Sequence, residues 1–157
     1  MSRKLFNARI AEAVAAIADR DIDENLADYL NSMFQGNSEW YRQVSDACLM
    51  AVDEGWMCER EAGGIRYGRV TKPFAEAGRF SVDVVLMDNV KGPWHVHPQG
   101  EVDLVMPLDD GAMFDGHGAG WVVYPGGSGH YPTVTGGKAL VLYLLPEGKI
   151  DFTPPPT

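Results

Sequence analysis

The sequence predicts an α+β fold dominated by β-structure: a helical segment over residues 1–55 packed on a small antiparallel barrel over 56–152, with a proline-rich tail at 153–157, all in a single domain. Three observations predict it. Apolar residues recur at spacings of three and four through the first third of the chain. From about Trp56 the texture changes to short β-rich runs separated by glycine and proline. Within that second part, histidines gather in two short clusters at spacings that suit neighbouring strands.

The first helix carries the stripe Phe6, Ile10, Ala13, Val14 and Ile17. Asp23 is placed to cap a second, with Leu26, Leu30, Met33 and Phe34 as its apolar face and Gly36 as its end. Asn37 or Ser38 starts a third, whose stripe of Trp40, Val44, Ala47, Cys48 and Ala51 runs to a left-handed stop at Gly55. The aromatic residues of these helices read as core. The strands expected next are 65–70, 80–87, 94–97, 102–106, 121–124 and 139–145. Asp109-Asp110-Gly111 and Asp115-Gly116-His117-Gly118 read as hairpin turns, and Asp88 and Lys91 as flanking another. Gly63-Gly64 and Gly136-Gly137 are turn glycines, since neither pair opens a helix after a strand as a phosphate cradle would. The helices are expected to cover one face of the barrel, close its sheet edges or mediate a homodimer. The tail Thr153-Pro154-Pro155-Pro156-Thr157 is expected to fray or lie on the surface.

With 157 residues, 45% of them hydrophobic and 22% charged, the chain has the composition of an ordinary soluble globular protein. A net charge of −9 argues against a nucleic-acid partner. No apolar stretch reaches the length of a membrane span and the first residues lack a signal-peptide core, so a cytoplasmic location is expected. Cys48 and Cys58 stand ten apart, a spacing that suits neither a metal site nor a redox pair, and a reducing compartment fits them.

The chemistry lies in His95-Val96-His97-Pro98-Gln99-Gly100-Glu101 and Pro125-Gly126-Gly127-Ser128-Gly129-His130, which hold three of the four histidines in the chain. Residues two apart on a strand share a face, so His95 and His97 project together. The turn at Pro98-Gln99-Gly100 lets Glu101 return to the same pocket. The second glycine-rich turn returns His130 from a neighbouring strand. A lone histidine in an apolar strand is ordinarily a packed residue; three with a glutamate at these spacings form a ligand set. Imidazoles and a carboxylate without thiolate suit one divalent ion, Fe, Mn, Ni or Zn, with open positions for substrate or water.

The run His-x-His-x3-Glu followed by Pro-x-Gly-x2-His resembles the two signature motifs of the cupin superfamily, small antiparallel barrels whose metal is held by three histidines and a glutamate. The resemblance covers roughly residues 60–150. Three positions depart from the pattern. Asn89 stands where a glycine is expected six residues before the first histidine, the later glycine is displaced to Gly111, and Val134 takes the usual asparagine position. These departures concern loop detail and leave the ligands intact.

A narrower resemblance rests on the strings beginning at Gly64, Phe80, Glu101, Phe114 and Gly137, which are similar to those of the cupin-type 4-hydroxylaminobenzoate lyases. With the helical segment included, it spans nearly the whole chain. That resemblance implies conversion of 4-hydroxylaminobenzoate to protocatechuate with release of ammonia, in bacterial degradation of nitroaromatic acids.

Strand parity nominates further residues. Asp103 shares the parity of Glu101 and is a candidate base, the alternatives being a surface carboxylate or a partner that orients a ligand histidine. Arg69 shares an inward parity with Ile65 and Tyr67; it would hold a benzoate carboxylate, or face solvent at the strand end. Tyr131 and Tyr143 are candidates for stacking on or donating to an aromatic substrate, or for packing. Asp83, in an apolar strand, needs a partner or the ion, and His117 reads as a loop residue. Two other functions share the ligand set: a cupin dioxygenase of an aromatic or thiol substrate, and a non-catalytic module that binds a small ligand or metal.

Overall fold

The computed structural model describes residues 2–154. Among these residues the helices are α1 (Ser2–Ile17), α2 (Glu24–Met33) and α3 (Glu39–Glu54). The strands are β1 (Arg60–Ala62), β2 (Ile65–Thr71), β3 (Phe80–Lys91), β4 (His95–His97), β5 (Glu101–Pro107), β6 (Met113–Phe114), β7 (Gly120–Tyr124), β8 (Ser128–His130) and β9 (Thr133–Pro146).

Each helix forms where periodicity and caps agree. The α1 stripe from Phe6 to Ile17 is buried. Asp23 caps α2 by accepting the Leu26 N–H at 3.2 Å, and Ser38 caps α3 by accepting that of Tyr41 at 3.1 Å. Gly55 closes α3 at φ 85°, donating to the carbonyls of Ala51 and Val52. The end of α2 differs from the expectation. Phe34 caps it by donating to the Leu30 carbonyl at 2.7 Å, and Met33 turns out to solvent. Gly36 serves a close approach instead, since a Cβ there would lie 2.8 Å from the Ala119 carbonyl oxygen.

The larger sheet runs β1-β2-β3-β9-β5-β7 with β6 also on β9, and every pairing is antiparallel. β4 and β8 pair separately. β1, β6 and β8 are too short to show a period in the sequence. β3 and β9 run longer than expected because both continue past a register shift between Asp88 and Val90. Asn89, at φ 44°, takes up that bulge, so no turn lies between Asp88 and Lys91. The left-handed backbone there explains a preference for glycine, and asparagine is among the side chains that adopt it most readily. Asp109-Asp110-Gly111 does not close a hairpin either: β5 and β6 both pair with β9, one after the other. Asp115-Gly116 does form a tight turn, with Phe114 and His117 exchanging two backbone hydrogen bonds at 2.8 Å. The tail residues 155–157 lie outside the described residues.

The helices cover one face of the larger sheet. Phe6, Leu30 and Val44 share a core with Val82, Val84, Val102, Leu104, Leu140, Leu142 and Leu144. α2 also closes the β7 edge. The Asn31 amide accepts from the Trp121 N–H at 2.8 Å and donates to its carbonyl at 3.1 Å, as a neighbouring strand would. The alternate residues of the same strands, among them Val105, Val141, Tyr143 and Leu145, face a second core with Phe114 and Val134 inside the barrel. Val134, at the position where the cupin pattern has asparagine, is thus a packing residue.

Candidate metal centre

β4 and β8 bring two histidines face to face, because the register pairs His95 with His130 and His97 with Ser128. The turn after β4 closes with the Gly100 N–H donating to the His97 carbonyl at 3.1 Å, and Gly127 donates to that same carbonyl at 2.8 Å. Both glycine-containing turns therefore lock onto the strand that carries His95 and His97. Gly129 must lack a side chain, since a Cβ would lie 2.5 Å from the Trp94 ring. Glu101, at the start of β5, completes the cluster.

One donor atom from each of His95, His97, Glu101 and His130 lies within 4.8 Å of the other three. His95 Nε2 is 3.0 Å from His130 Nε2, His130 Nε2 is 3.1 Å from Glu101 Oε2, and His95 Nε2 is 3.9 Å from the same oxygen. His97 Nε2 also abuts Glu101 Oε2. Neighbouring donors about 3 Å apart are what an ion with bonds of about 2.1 Å produces at right angles. His97 Nε2 and Glu101 Oε1 are buried without a hydrogen-bond partner of good geometry, a state that a bound cation relieves. The residues fit a divalent ion.

Burial, with the neighbouring His97, pushes His95 down to about 4, which leaves its imidazole neutral and ready to donate a lone pair. Burial works the same way on His130, yet hydrogen bonds to Asp115 and Glu101 outweigh it and lift this residue to about 9. Burial opposes ionisation of Glu101, but the adjoining Asp103, His130 and His97 side chains outweigh it and hold its carboxyl below the usual range. Asp103 shifts the other way: burial first, then the Glu101 charge, push it well above the usual carboxylate range. It is fully buried beside Glu101, not a surface carboxylate, and neither of its oxygens has a partner of good geometry.

Asp115 is a site residue that strand parity misses. Its carboxylate meets His130 Nδ1 at 2.7 Å and accepts from the Tyr124 hydroxyl at 2.6 Å and the Thr133 N–H at 2.9 Å. A carboxylate on Nδ1 fixes the ring and its tautomer so that Nε2 faces the other donors. The Asp-Gly turn was the visible signal in the sequence, but it speaks of backbone shape and not of where the carboxylate points.

A cavity of about 860 Å³ opens beside His95 and His97 and is also lined by Tyr67, Arg69, Asp83, Tyr143 and Phe152. One row crosses the barrel-facing side of the sheet: Arg69 opposite Asp83, Asp83 opposite Tyr143, and Tyr143 opposite Asp103. Arg69 does face this cavity, and it grips Asp83 through Nε–Oδ1 at 2.7 Å and a second bond at 3.3 Å. Asp83 thereby has the partner its setting demands, and it also accepts from Ser81. Tyr143 is buried in the cavity wall. Tyr131 is not brought to the cavity; its ring lies on Trp94, centroids 5.2 Å apart, with the Lys91 ammonium over it. His117 is exposed in its turn. Cys48 and Cys58 are buried free thiols on the helix side.

A small antiparallel barrel that converges three imidazoles and one carboxylate beside a cavity has the layout of a metal-binding enzyme barrel. Solved cupin structures align with part of it. An RmlC-like cupin protein from Ralstonia eutropha is 10% identical, with TM-score 0.44 over 57% of this chain and 59% of that one. An oxalate oxidase in complex with glycolate is 18% identical, with TM-score 0.45 over 59% and 57%.

The sequence comparisons are more specific. The family model of the 4-hydroxylaminobenzoate lyases matches residues 8–152. A 4-hydroxylaminobenzoate lyase of Pseudomonas putida is 34% identical, covering 88% of this chain and 89% of that protein. One of Nocardioides sp. (strain LMS-CY) is 37% identical with the same coverage. The chain belongs to the 4-hydroxylaminobenzoate lyase family.

Proposed function

We propose that this protein is a metal-dependent lyase that converts 4-hydroxylaminobenzoate and one water to protocatechuate and ammonia. Family membership supports the reaction, and the convergence of His95, His97, Glu101 and His130 on one point beside the cavity carries the chemistry. The N-hydroxyl oxygen is lost, oxygen is placed on the adjacent ring carbon, and the ring nitrogen leaves in exchange for a hydroxyl; water supplies the net difference.

His95, His97, Glu101 and His130 hold the ion. A divalent ion in this set supplies Lewis-acid polarisation of an oxygen in the reacting group, and whether it is Fe, Mn, Ni or Zn is for elemental analysis to decide. Arg69, already oriented by Asp83, offers its remaining N–H groups to the substrate carboxylate. Tyr143, in the cavity wall, meets the substrate ring. Asp103, buried next to Glu101, holds a proton for the acid–base steps. Tyr131, next in sequence to His130, packs against Trp94 and Lys91 outside the cavity and takes no part in holding the substrate in this reading.

The partner is a small aromatic carboxylate. Among the described residues no helix is long and apolar enough to cross a membrane. A cytoplasmic enzyme fits the two free thiols, the charge of −9 disfavours a nucleic-acid partner, and a homodimer without membrane attachment would form through the helices or the sheet edges. The test is an anaerobic assay of the purified protein with 4-hydroxylaminobenzoate. Stoichiometric ammonia and protocatechuate are expected without oxygen. A strict requirement for oxygen would point to a ring-oxidising enzyme, and tight binding without turnover to a binding module.

A further inference from the structure

Past the last long strand, the chain returns across the metal-bearing strand. Asp151 and Val96 exchange two backbone hydrogen bonds, each 2.8 Å, so residues 150–152 are anchored to the strand between His95 and His97. This anchoring sets the Phe152 ring edge-on against the His95 ring, with centroids 5.8 Å apart and planes at 79°. The ring also lines the cavity, yet it remains 62% exposed. A large aromatic side chain held at an open mouth, in contact with a metal-ligand histidine, offers a free π-face and edge. Of the other aromatic rings in contact with the ligand histidines, Phe114 is buried against Tyr143 and His130, and Tyr124 donates to Asp115.

We propose that Phe152 is a specificity-determining residue whose ring packs on the aromatic ring of the substrate at the cavity mouth, so that ring-bearing acids are selected over saturated ones of the same size. This rests on the lyase reading for the identity of the substrate. Binding to Phe152 needs only an aromatic carboxylate, so the two can fail separately.

The experiment is calorimetric titration of the metal-loaded protein with 4-hydroxybenzoate and with cyclohexanecarboxylate, in the wild type and in Phe152→Ala, Phe152→Leu and Phe152→Trp. Wild type should prefer the aromatic acid. Phe152→Ala should weaken its binding roughly tenfold and Phe152→Leu roughly fivefold, because leucine keeps the apolar cover and loses the ring. Phe152→Trp should restore it, and cyclohexanecarboxylate should change much less across the series. Metal content should be the same in all four proteins. Equal weakening for both acids, full affinity in Phe152→Leu, no binding of the aromatic acid by the wild type, or an effect confined to oligomeric state in sedimentation would each overturn the proposal. Ammonia release assays the lyase reading independently: turnover with an unchanged binding pattern would keep that reading and reject the role of Phe152.

Discussion

The two faces of the larger sheet are built from alternate residues of the same strands and differ in kind. Toward the helices, β5 offers Val102 and Leu104 and β9 offers Leu140, Leu142 and Leu144, all fully buried. Toward the barrel, β5 offers Glu101 and Asp103, β9 offers Tyr143 and β3 offers Asp83. Buried apolar side chains contribute about 1.5–3 kcal/mol each to folding. A buried carboxyl without a partner works against folding by about 1–3 kcal/mol or more. The helix-facing side is thus apolar throughout, whereas the barrel-facing side sets its carboxyls beside the apolar second core of Val105, Val141, Leu145, Phe114 and Val134, and the boundary between the two faces is the thickness of one strand.

Breaking the barrel-facing side has the largest expected effect. His97→Ala should lose stoichiometric ion and reduce ammonia release at least about a thousandfold, in line with removal of a metal-dependent step. Far-ultraviolet circular dichroism should stay that of the wild type, because the helix-facing core is untouched. Asp103→Asn sharpens the contrast. It exchanges the buried carboxyl for an isosteric neutral amide that cannot carry the acid–base proton, so turnover should fall roughly 10²–10⁴-fold while the melting temperature holds. A melting temperature that falls with turnover would mean that Asp103 is structural.

On the other face the pattern should invert. Leu142→Ala should cost about 3 kcal/mol in denaturant unfolding, with ion content and kcat retained in the folded fraction. The smallest of these effects is at Asp115. Removing the carboxylate that orients His130 in Asp115→Asn should weaken ion affinity roughly 10–100-fold in a competition titration with a chelator, leaving the fold intact.

How far each face can be read from the sequence follows from the range of the interactions involved. His95, His97 and Glu101 are legible because strand parity and one tight turn place them, all within seven residues. His130 is legible as the end of a glycine-rich turn of fixed shape. The inward parity of Arg69 and Asp103 is legible too. What cannot be read is that Arg69, Asp83, Tyr143 and Asp103 lie in one row, because the row depends on the registers of four strands and on the bulge between Arg69 and Thr71. Asp115 and Phe152 reach the centre through a turn geometry and a backbone bridge to Val96, neither of which leaves a periodic signal. The end of α2 is missed for a similar reason: the glycine after it answers to Ala119, far along the chain.

The most direct test of the four-donor centre is to strip the purified protein with a chelator and titrate divalent ions back, following bound ion by elemental analysis and ammonia release under anaerobic conditions. Both should saturate together at one ion per chain, and Glu101→Gln should shift that titration to weaker binding. Full ammonia release from protein that retains no stoichiometric ion would contradict the assignment of these four residues as a catalytic metal centre.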